Sequence, residues 1–257
     1  MMKIAVHGAA GRMGKLVVKN AVEEGFEVVQ AFDVSGIGED AGEIAGIGKI
    51  GVPVSDNVEE LSCDVVIDFS VPSATMKLLE VCAEKGVKAV VGTTGLSEDQ
   101  KKRIEEIAGK IPVVLSPNFS VGVNIFWKAL EMLAEKLSDY DMEIFEIHHR
   151  FKRDAPSGTA LRAGEVLKEA SGKNLRFVFG REGESLRSDE EIGMFAVRGG
   201  DVVGEHTVFF IGFGERIELT HRAWNREAFS RGAVKAAGWI AGVDEPGLYS
   251  MKDVLGI

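Results

Sequence analysis

The chain has 257 residues, enough to bury a sizeable core as one large or two modest domains. Its 45% hydrophobic and 27% charged content is ordinary for a globular protein, and a net charge of −10 argues against a nucleic-acid binder relying on a broad basic surface. No apolar run is long enough to span a bilayer, no signal peptide precedes the first apolar run, and Cys63 and Cys82 belong to no C-x-x-C pair. A cytoplasmic protein with reduced thiols is therefore expected.

Residues 3–7 form a short apolar run that leads directly into Gly8-Ala9-Ala10-Gly11-Arg12-Met13-Gly14, after which Leu16, Val17, Ala21 and Val22 recur at helical spacing. Strand, glycine turn and helix are the context a dinucleotide-binding loop needs. Gly8 would allow the tight turn, Gly11 the approach of a pyrophosphate to the backbone, and Gly14 close packing of helix on strand. The spacing is G-x-x-G-x-x-G, which a plain strand–turn–helix connection also satisfies. The next predicted strand, residues 27–33, ends in Asp33, 19 residues beyond Gly14, where a carboxylate would accept hydrogen bonds from an adenosine ribose.

Residues 35–56 are glycine-rich and weakly periodic, and read as an irregular excursion. Alternation then resumes, with strands at 64–69, 88–92 and 111–115 and helices at 72–85 and 97–110. Pro72 lies in the first turn of one helix, and Ser97 with Gln100 makes a capping box for the other. Apolar strands separated by helices imply a parallel sheet, whose ligands bind beyond the strand carboxyl ends. Three such ends stand out: Phe69-Ser70, Gly92-Thr93-Thr94-Gly95 and Ser116-Pro117-Asn118-Phe119-Ser120. Each could be a turn and no more.

After Gly122 the pattern changes. A helix over 123–137 is followed by a strand whose two faces alternate, Met142, Ile144 and Glu146 against Glu143, Phe145 and Ile147. If that strand continues, His148, Arg150 and Lys152 share a face and His149 opposes them, unless the chain bends after His148. Ala155-Pro156-Ser157-Gly158-Thr159 then turns into a helix from Ala160, whose first free N–H groups would belong to Ser157, Gly158 and Thr159 and would attract a carboxylate. A proton donor and a cation beside an anion-holding turn make a site for a small acidic substrate. Adjacent His side chains on a strand diverge, and no Cys or carboxylate has ligand spacing to them, which argues against a metal. Strands near 175–179, 194–198, 206–212 and 216–223 follow without helices between them and imply a mixed or antiparallel sheet. Val208, Phe210, Ile217 and Leu219 would make one of its faces apolar and open to oligomerisation. Residues 182–191 read as a mobile acidic loop. A last helix over 226–241 would return to the first domain.

The stretch Glu146-x-His148-His149-x-x-Lys152-x-Asp154-Ala-Pro-Ser157-Gly158-Thr159-Ala160 resembles the signature of the dihydrodipicolinate reductase family, and the resemblance covers most of the chain. It implies an α/β fold with an N-terminal Rossmann-like doubly wound parallel sheet and a C-terminal α+β domain with a mixed/antiparallel sheet. The expected division is 1–121 completed by 227–257 for the dinucleotide, and 122–226 for substrate and oligomerisation. The family's cofactor loop is similar over Gly8, Ala9, Ala10, Gly11, Arg12 and Met13. Its nicotinamide-side segments are similar to Phe69, Gly92, Thr93, Thr94, Ser116, Pro117, Asn118 and Phe119. The resemblance also implies a homotetramer and reduction of a cyclic imine dicarboxylate in lysine and diaminopimelate biosynthesis.

That chemistry needs a hydride delivered to carbon, a proton to the neighbouring atom, and two carboxylates neutralised. His148 suits the proton donor at neutral pH, assisted by Lys152. His149, Ser157, Gly158 and Thr159 would hold the carboxylates. Asp33 followed by Val34 favours NADH, with NADPH accepted less well, because a carboxylate repels a 2′-phosphate. Two rivals remain: a related semialdehyde- or homoserine-type dehydrogenase, in which the His-His-x-x-Lys signature is not expected, and an NADH-binding redox sensor, which would need a basic DNA-reading face that is not evident.

Overall fold

Strands buried on both faces read as near-continuous apolar runs, and the centres of those in the first half of the chain do, as in Ile4-Ala5-Val6, Val65-Val66-Ile67 and Ala89-Val90-Val91. β1 (Lys3–His7), β2 (Glu27–Phe32), β3 (Val54–Ser55), β4 (Val65–Asp68), β5 (Lys88–Val91) and β6 (Pro112–Leu115) join β12 (Gly247–Tyr249), from the far end of the chain. They form a seven-stranded, wholly parallel sheet in the order β12-β6-β5-β4-β1-β2-β3. The computed structural model describes residues 1–257, which divide into two units, Met1–Val121 with Arg226–Ile257, and Gly122–Asn225.

In the first unit the two-residue period of the strands sorts their side chains into two cores. Ile4, Val6, Ile67, Val90 and Val114 meet α1 (Arg12–Glu23) and α7 (Glu227–Ala241) through Val17, Val18, Ala233, Val234 and Ile240. Ala5, Val66, Ala89, Val91 and Val113 meet α3 (Pro72–Lys85) and α4 (Glu98–Ala108) through Leu78, Leu79, Cys82, Ile104 and Ile107. Each valine, leucine or isoleucine among them contributes about 1.5–3 kcal/mol by leaving water, and truncating Leu79 to Ala would cost about 2–5 kcal/mol. Strand order reverses between β1 and β4, so a crevice opens beyond their carboxyl ends. Both thiols are free, and burial pushes the Cys63 thiol up to about 12.

The stretch 35–56 is largely irregular, as expected, but it is organised. It contains α2 (Ala41–Ala45) and β3, organised by the buried side chain of Asp40. That carboxylate accepts from the backbone N–H groups of Gly42, Glu43, Ile50, Gly51 and Val52 at 2.7–3.3 Å. It caps α2 and ties down the segment returning to β3. Glycines and one capping acid, rather than apolar periodicity, build this region, which is why the sequence pattern is silent there.

The second unit contains α5 (Val121–Lys136), β7 (Asp141–His148), α6 (Gly158–Ser171), β8 (Arg176–Phe179), β9 (Glu191–Arg198), β10 (Gly204–Gly212) and β11 (Glu215–Ala223). Its sheet runs β11-β10-β7-β9-β8, with β7, β9 and β8 mutually parallel and β10 antiparallel to both neighbours. Phe126 and Leu130 of α5 and Ala163 and Leu167 of α6 cover one face, packing on Met142, Ile144, Val208 and Phe210.

This corrects one expectation, that the apolar face of this sheet is open to oligomerisation. Val208 and Phe210 lie under the helices, and register places Ile217 and Leu219 on the same face. The opposite face is mixed, with Thr207 hydrogen-bonded to Thr220 at 3.0 Å and Phe209 paired with Glu143 and Glu218. In the loop over 182–191, the second half is held by ion pairs. Arg187 reaches Glu143 (3.0 Å) and Asp141 (2.6 Å), while Arg181, just before the loop, bridges Glu143 (2.8 Å) and Glu191 (2.5 Å). Gly193 leaves room for this cluster, since a Cβ there would lie 1.8 Å from Glu143 Oε2.

Asp40→Asn replaces one acceptor oxygen by an amide that faces N–H donors. The amides of Ile50, Gly51 and Val52 should then exchange with solvent faster than in the parent protein. Unchanged exchange would mean that something other than this carboxylate holds the segment.

Candidate active site

At the carboxyl edge of the parallel sheet, β1 turns sharply into α1. Gly8 has φ +75° and a Cβ there would meet Phe69 O at 2.4 Å, while one on Gly14 would meet Gly8 O at 2.0 Å and Ala9 Cα at 2.6 Å. Only glycine fits either place. The N–H groups of Gly8 and Ala9 both donate to Phe32 O, so the turn is tied to the end of β2. Gly11 precedes α1 without a side-chain cap, leaving the helix start to its own amides. Asp33 lies one residue past β2, and its two oxygens accept from Ala10 N (3.0 Å) and Ser35 N (2.9 Å). The carboxylate is thereby fixed beside the turn, and Val34 next to it is 86% exposed.

Beyond the strand ends is a cavity of about 420 Å³. Of the residues singled out in the sequence, Arg12, Met13, Phe69, Gly92, Thr93, Thr94, Pro117, Asn118 and Phe119 line it. Phe69 and Phe119 meet edge to face at 5.9 Å, and the Phe69 ring lies where a Cβ on Gly92 would be. Ser116 is buried just behind, its hydroxyl donating to Asn118 O at 2.8 Å.

Ser70, at the strand end singled out with Phe69, lines it as well, and two lining residues were not anticipated: Phe229 and Arg226. Burial lowers the Arg226 pKa first, and the neighbouring Arg12 charge adds to it. Two like charges facing one cavity favour an anion there. Also missed was the carboxylate behind this edge. Asp68, fully buried, accepts from His7 Nδ1 (2.6 Å), Thr75 Oγ1 (2.6 Å) and Thr93 Oγ1 (2.8 Å), and Thr93 Oγ1 in turn accepts from Ser70 N (3.0 Å). The ends of β1, β4 and β5 are stitched together through it. The donor set, the glycine cradle and the paired guanidiniums fit a dinucleotide.

In the second unit the chain bends after His148. β7 stops there, Lys152 N donates to His149 O, and Arg150 N to Gly200 O, so His148, Arg150 and Lys152 do not share an extended face. His148, 7% exposed, places Nδ1 2.5 Å from Glu146 Oε2. Glu146 is 1% exposed and accepts four hydrogen bonds: from His148, from Arg198 at both oxygens (2.8 Å each), and from Ser157 N at 3.0 Å. Burial acts most strongly on it and pushes its pKa up. The bonds from His148 and Arg198, the His148 charge and the Ser157 amide outweigh burial and bring the pKa to about 2. As an ionised carboxylate it can only accept, so His148 Nδ1 carries a proton and Nε2 is the ring's free atom. A Cβ on Gly204 would come within 2.9 Å of that Nε2, so the glycine makes room for it.

Ser157 N-caps α6, its Oγ accepting from Ala160 N at 3.2 Å and lying 3.0 Å from His206 Nε2. Both its polar groups therefore have partners inside the protein. Of the amides expected to hold carboxylates, that of Ser157 is already engaged by Glu146; Gly158 and Thr159 follow in the first turn. Lys152 pairs with the exposed Asp154 at 2.9 Å, and the His149 ring lies 6.4 Å from that of Phe151. His206 was also missed. It is buried edge-on to His148 (5.1 Å), and burial, with the His148 charge second, holds it near 3, hence neutral.

A doubly wound parallel sheet with a glycine cradle, in one chain with a mixed-sheet unit holding a buried histidine–carboxylate pair, defines a two-domain pyridine-nucleotide-dependent oxidoreductase. Comparison with known proteins gives the family. Residues 2–119 match the family model "Dihydrodipicolinate reductase, N-terminus", and residues 122–255 match "Dihydrodipicolinate reductase, C-terminus". A 4-hydroxy-tetrahydrodipicolinate reductase of Archaeoglobus fulgidus is 60% identical over 257 residues, spanning 99% of this chain and 100% of the relative. One of Methanocaldococcus jannaschii is 51% identical over 270 residues, spanning 100% and 98%. A dipicolinate-bound dihydrodipicolinate reductase from Paenisporosarcina sp. TG-14 superposes with a TM-score of 0.79 at 27% identity, covering 97% of each chain. The chain belongs to the dihydrodipicolinate reductase family. No helix is long and apolar enough to cross a membrane.

Glu146 has its pKa depressed in the folded state, from an ordinary 4.5 to about 2. Its contribution to stability is therefore complete above about pH 4.5 and is lost as pH falls to about 2. The thermal midpoint of Glu146→Gln should lie below that of the parent at neutral pH, with the gap closing through this window. A gap that stays constant with pH would show that the ionised form is not what stabilises the fold.

Proposed function

We propose that the chain reduces (2S,4S)-4-hydroxy-2,3,4,5-tetrahydrodipicolinate to tetrahydrodipicolinate, with loss of water, in lysine and diaminopimelate biosynthesis. The observation that carries this reading is His148, gripped through Nδ1 by an ionised carboxylate whose other oxygen holds the capped start of α6. One carboxylate thus fixes a proton donor and an anion-binding helix start together, as reduction of a dicarboxylate imine requires. A bound nicotinamide supplies the hydride.

His148 delivers the proton from Nε2 to the atom beside the carbon that is reduced. Lys152 stabilises the developing charge, leaving its exposed partner Asp154 for the substrate. His149 and the first turn of α6, through Gly158 and Thr159, take the carboxylates, with Ser157 as the residue that shapes that turn. In the first unit, Gly8 to Gly11 and the start of α1 receive the pyrophosphate, and Arg12 and Arg226 neutralise it. Asp33 takes the adenosine ribose. Phe69, Gly92, Thr93, Thr94 and residues 116–119 form the nicotinamide side. A cytoplasmic homotetramer is the working form, assembled through the second unit's mixed sheet.

A coupled assay with the product of dihydrodipicolinate synthase tests the reaction directly, and pyridine-2,6-dicarboxylate should compete with the substrate. His148→Gln should lower kcat by roughly 10²–10⁴-fold with dinucleotide binding nearly unchanged. Parental turnover in that variant would remove His148 from the proton-donor role.

Asp33 decides cofactor preference. Two unit charges about 4 Å apart repel by about 4 kcal/mol at an effective dielectric of about 20, before screening. NADH is therefore preferred, and Arg12 offsets part of the repulsion that NADPH meets. Asp33→Ser with Val34→Arg should move the preference towards NADPH, because repulsion is removed and a phosphate donor supplied. An equal or lower KM for NADPH in the parent would show that a compensating cation outweighs Asp33.

A further inference from the structure

Glu146 touches neither the proposed substrate nor the cofactor, yet every one of its acceptor positions is filled. We propose that Glu146 and Arg198 are opposed positioning residues that together set how readily His148 holds its reacting proton. This deepens the reductase reading and rests on it for the identity of the reaction.

The geometry is that of a shared ion. Glu146 Oε2 lies 2.5 Å from His148 Nδ1 and 2.8 Å from one terminal nitrogen of Arg198. Oε1 is 2.8 Å from the other terminal nitrogen and 3.0 Å from Ser157 N. Arg198 also donates to Asp154 O at 2.7 Å, which ties it to the loop carrying Lys152. A bare carboxylate against Nδ1 would favour the imidazolium strongly and make Nε2–H a reluctant donor. A bidentate arginine draws charge from that carboxylate and weakens its hold. The acid is thereby tuned by two groups of opposite sign rather than by one.

The other groups facing His148 do not replace either partner. His206, edge-on at 5.1 Å, is buried and neutral. His221 lies in register with His206 on β11, and burial lowers its pKa as well. Lys152 and Asp154 form their own pair at 2.9 Å.

The two changes carry opposite signs. Glu146→Gln removes the negative charge beside Nδ1 and disfavours the imidazolium. Arg198→Met removes the charge that counteracts Glu146 and favours it. The titration midpoint of His148, followed by its ring resonances in the unliganded full chain, should fall by about one pH unit or more in Glu146→Gln and rise in Arg198→Met. The high-pH limb of kcat should move in the same two directions, a tenfold effect per unit. General loosening of the site cannot move the limb both ways.

Glu146→Asp keeps the charge at a shorter reach. It should shift the midpoint less than the Gln change and in the same direction, and it serves if Glu146→Gln does not fold. Midpoints unmoved, or moved in one common direction, would overturn the proposal. Midpoints that move oppositely while kcat limbs stay still would uphold this tuning and refute His148 as the acid, so the two readings fail separately.

Discussion

A carboxylate can be taken out of water only if its lone pairs are met, and each unit of this protein is built around one that is. Glu146 binds two strands and a helix start through a histidine, an arginine and a backbone amide. Asp68, at the end of β4, binds the ends of β1 and β5 and the first turn of α3 through a histidine and two threonines. Losing one partner would leave an ion stranded among apolar groups, so the surrounding elements are obliged to keep their relative positions.

That obligation falls where chemistry needs it. Asp68 sits directly behind Ser70 and Thr93, which line the cavity at the point where strand order reverses. Glu146 sits behind His148 and the start of α6. The residues lining the cavity are ordinary loop and strand-end residues, held in place by a layer beneath them. Ser157 illustrates the division. Its motif position marks it as an anion ligand, but its amide holds Glu146 and its hydroxyl caps the helix, so it shapes the turn its neighbours present.

The family resemblance, the parallel α/β half and the glycine cradle were legible in residue order because each depends on local rules. Alternating apolar strands and helices, Gly8 where only φ > 0 fits, and a His-His-x-x-Lys run ahead of a helix start are all short-range patterns. The 35–56 segment was not legible, since Asp40 organises it through amides up to twelve residues away and without any periodicity.

What residue order determined by itself was the family and its local motifs: a glycine turn between strand and helix, an acid at the end of β2, and a histidine pair ahead of a helix start. Only the tertiary structure decided which groups surround the His148 imidazole. Arg198 is opposite His148 because β9 lies parallel to β7 in one register, and His206 is opposite Glu146 because β10 lies antiparallel in another. A shift of one residue in either pairing would turn those side chains to the other face of the sheet. Likewise Arg226, more than 200 residues from Arg12, meets it at one cavity because α7 packs against α1. Register and packing between distant segments leave no local pattern in a sequence, and in this protein they supply the charges that surround the chemistry.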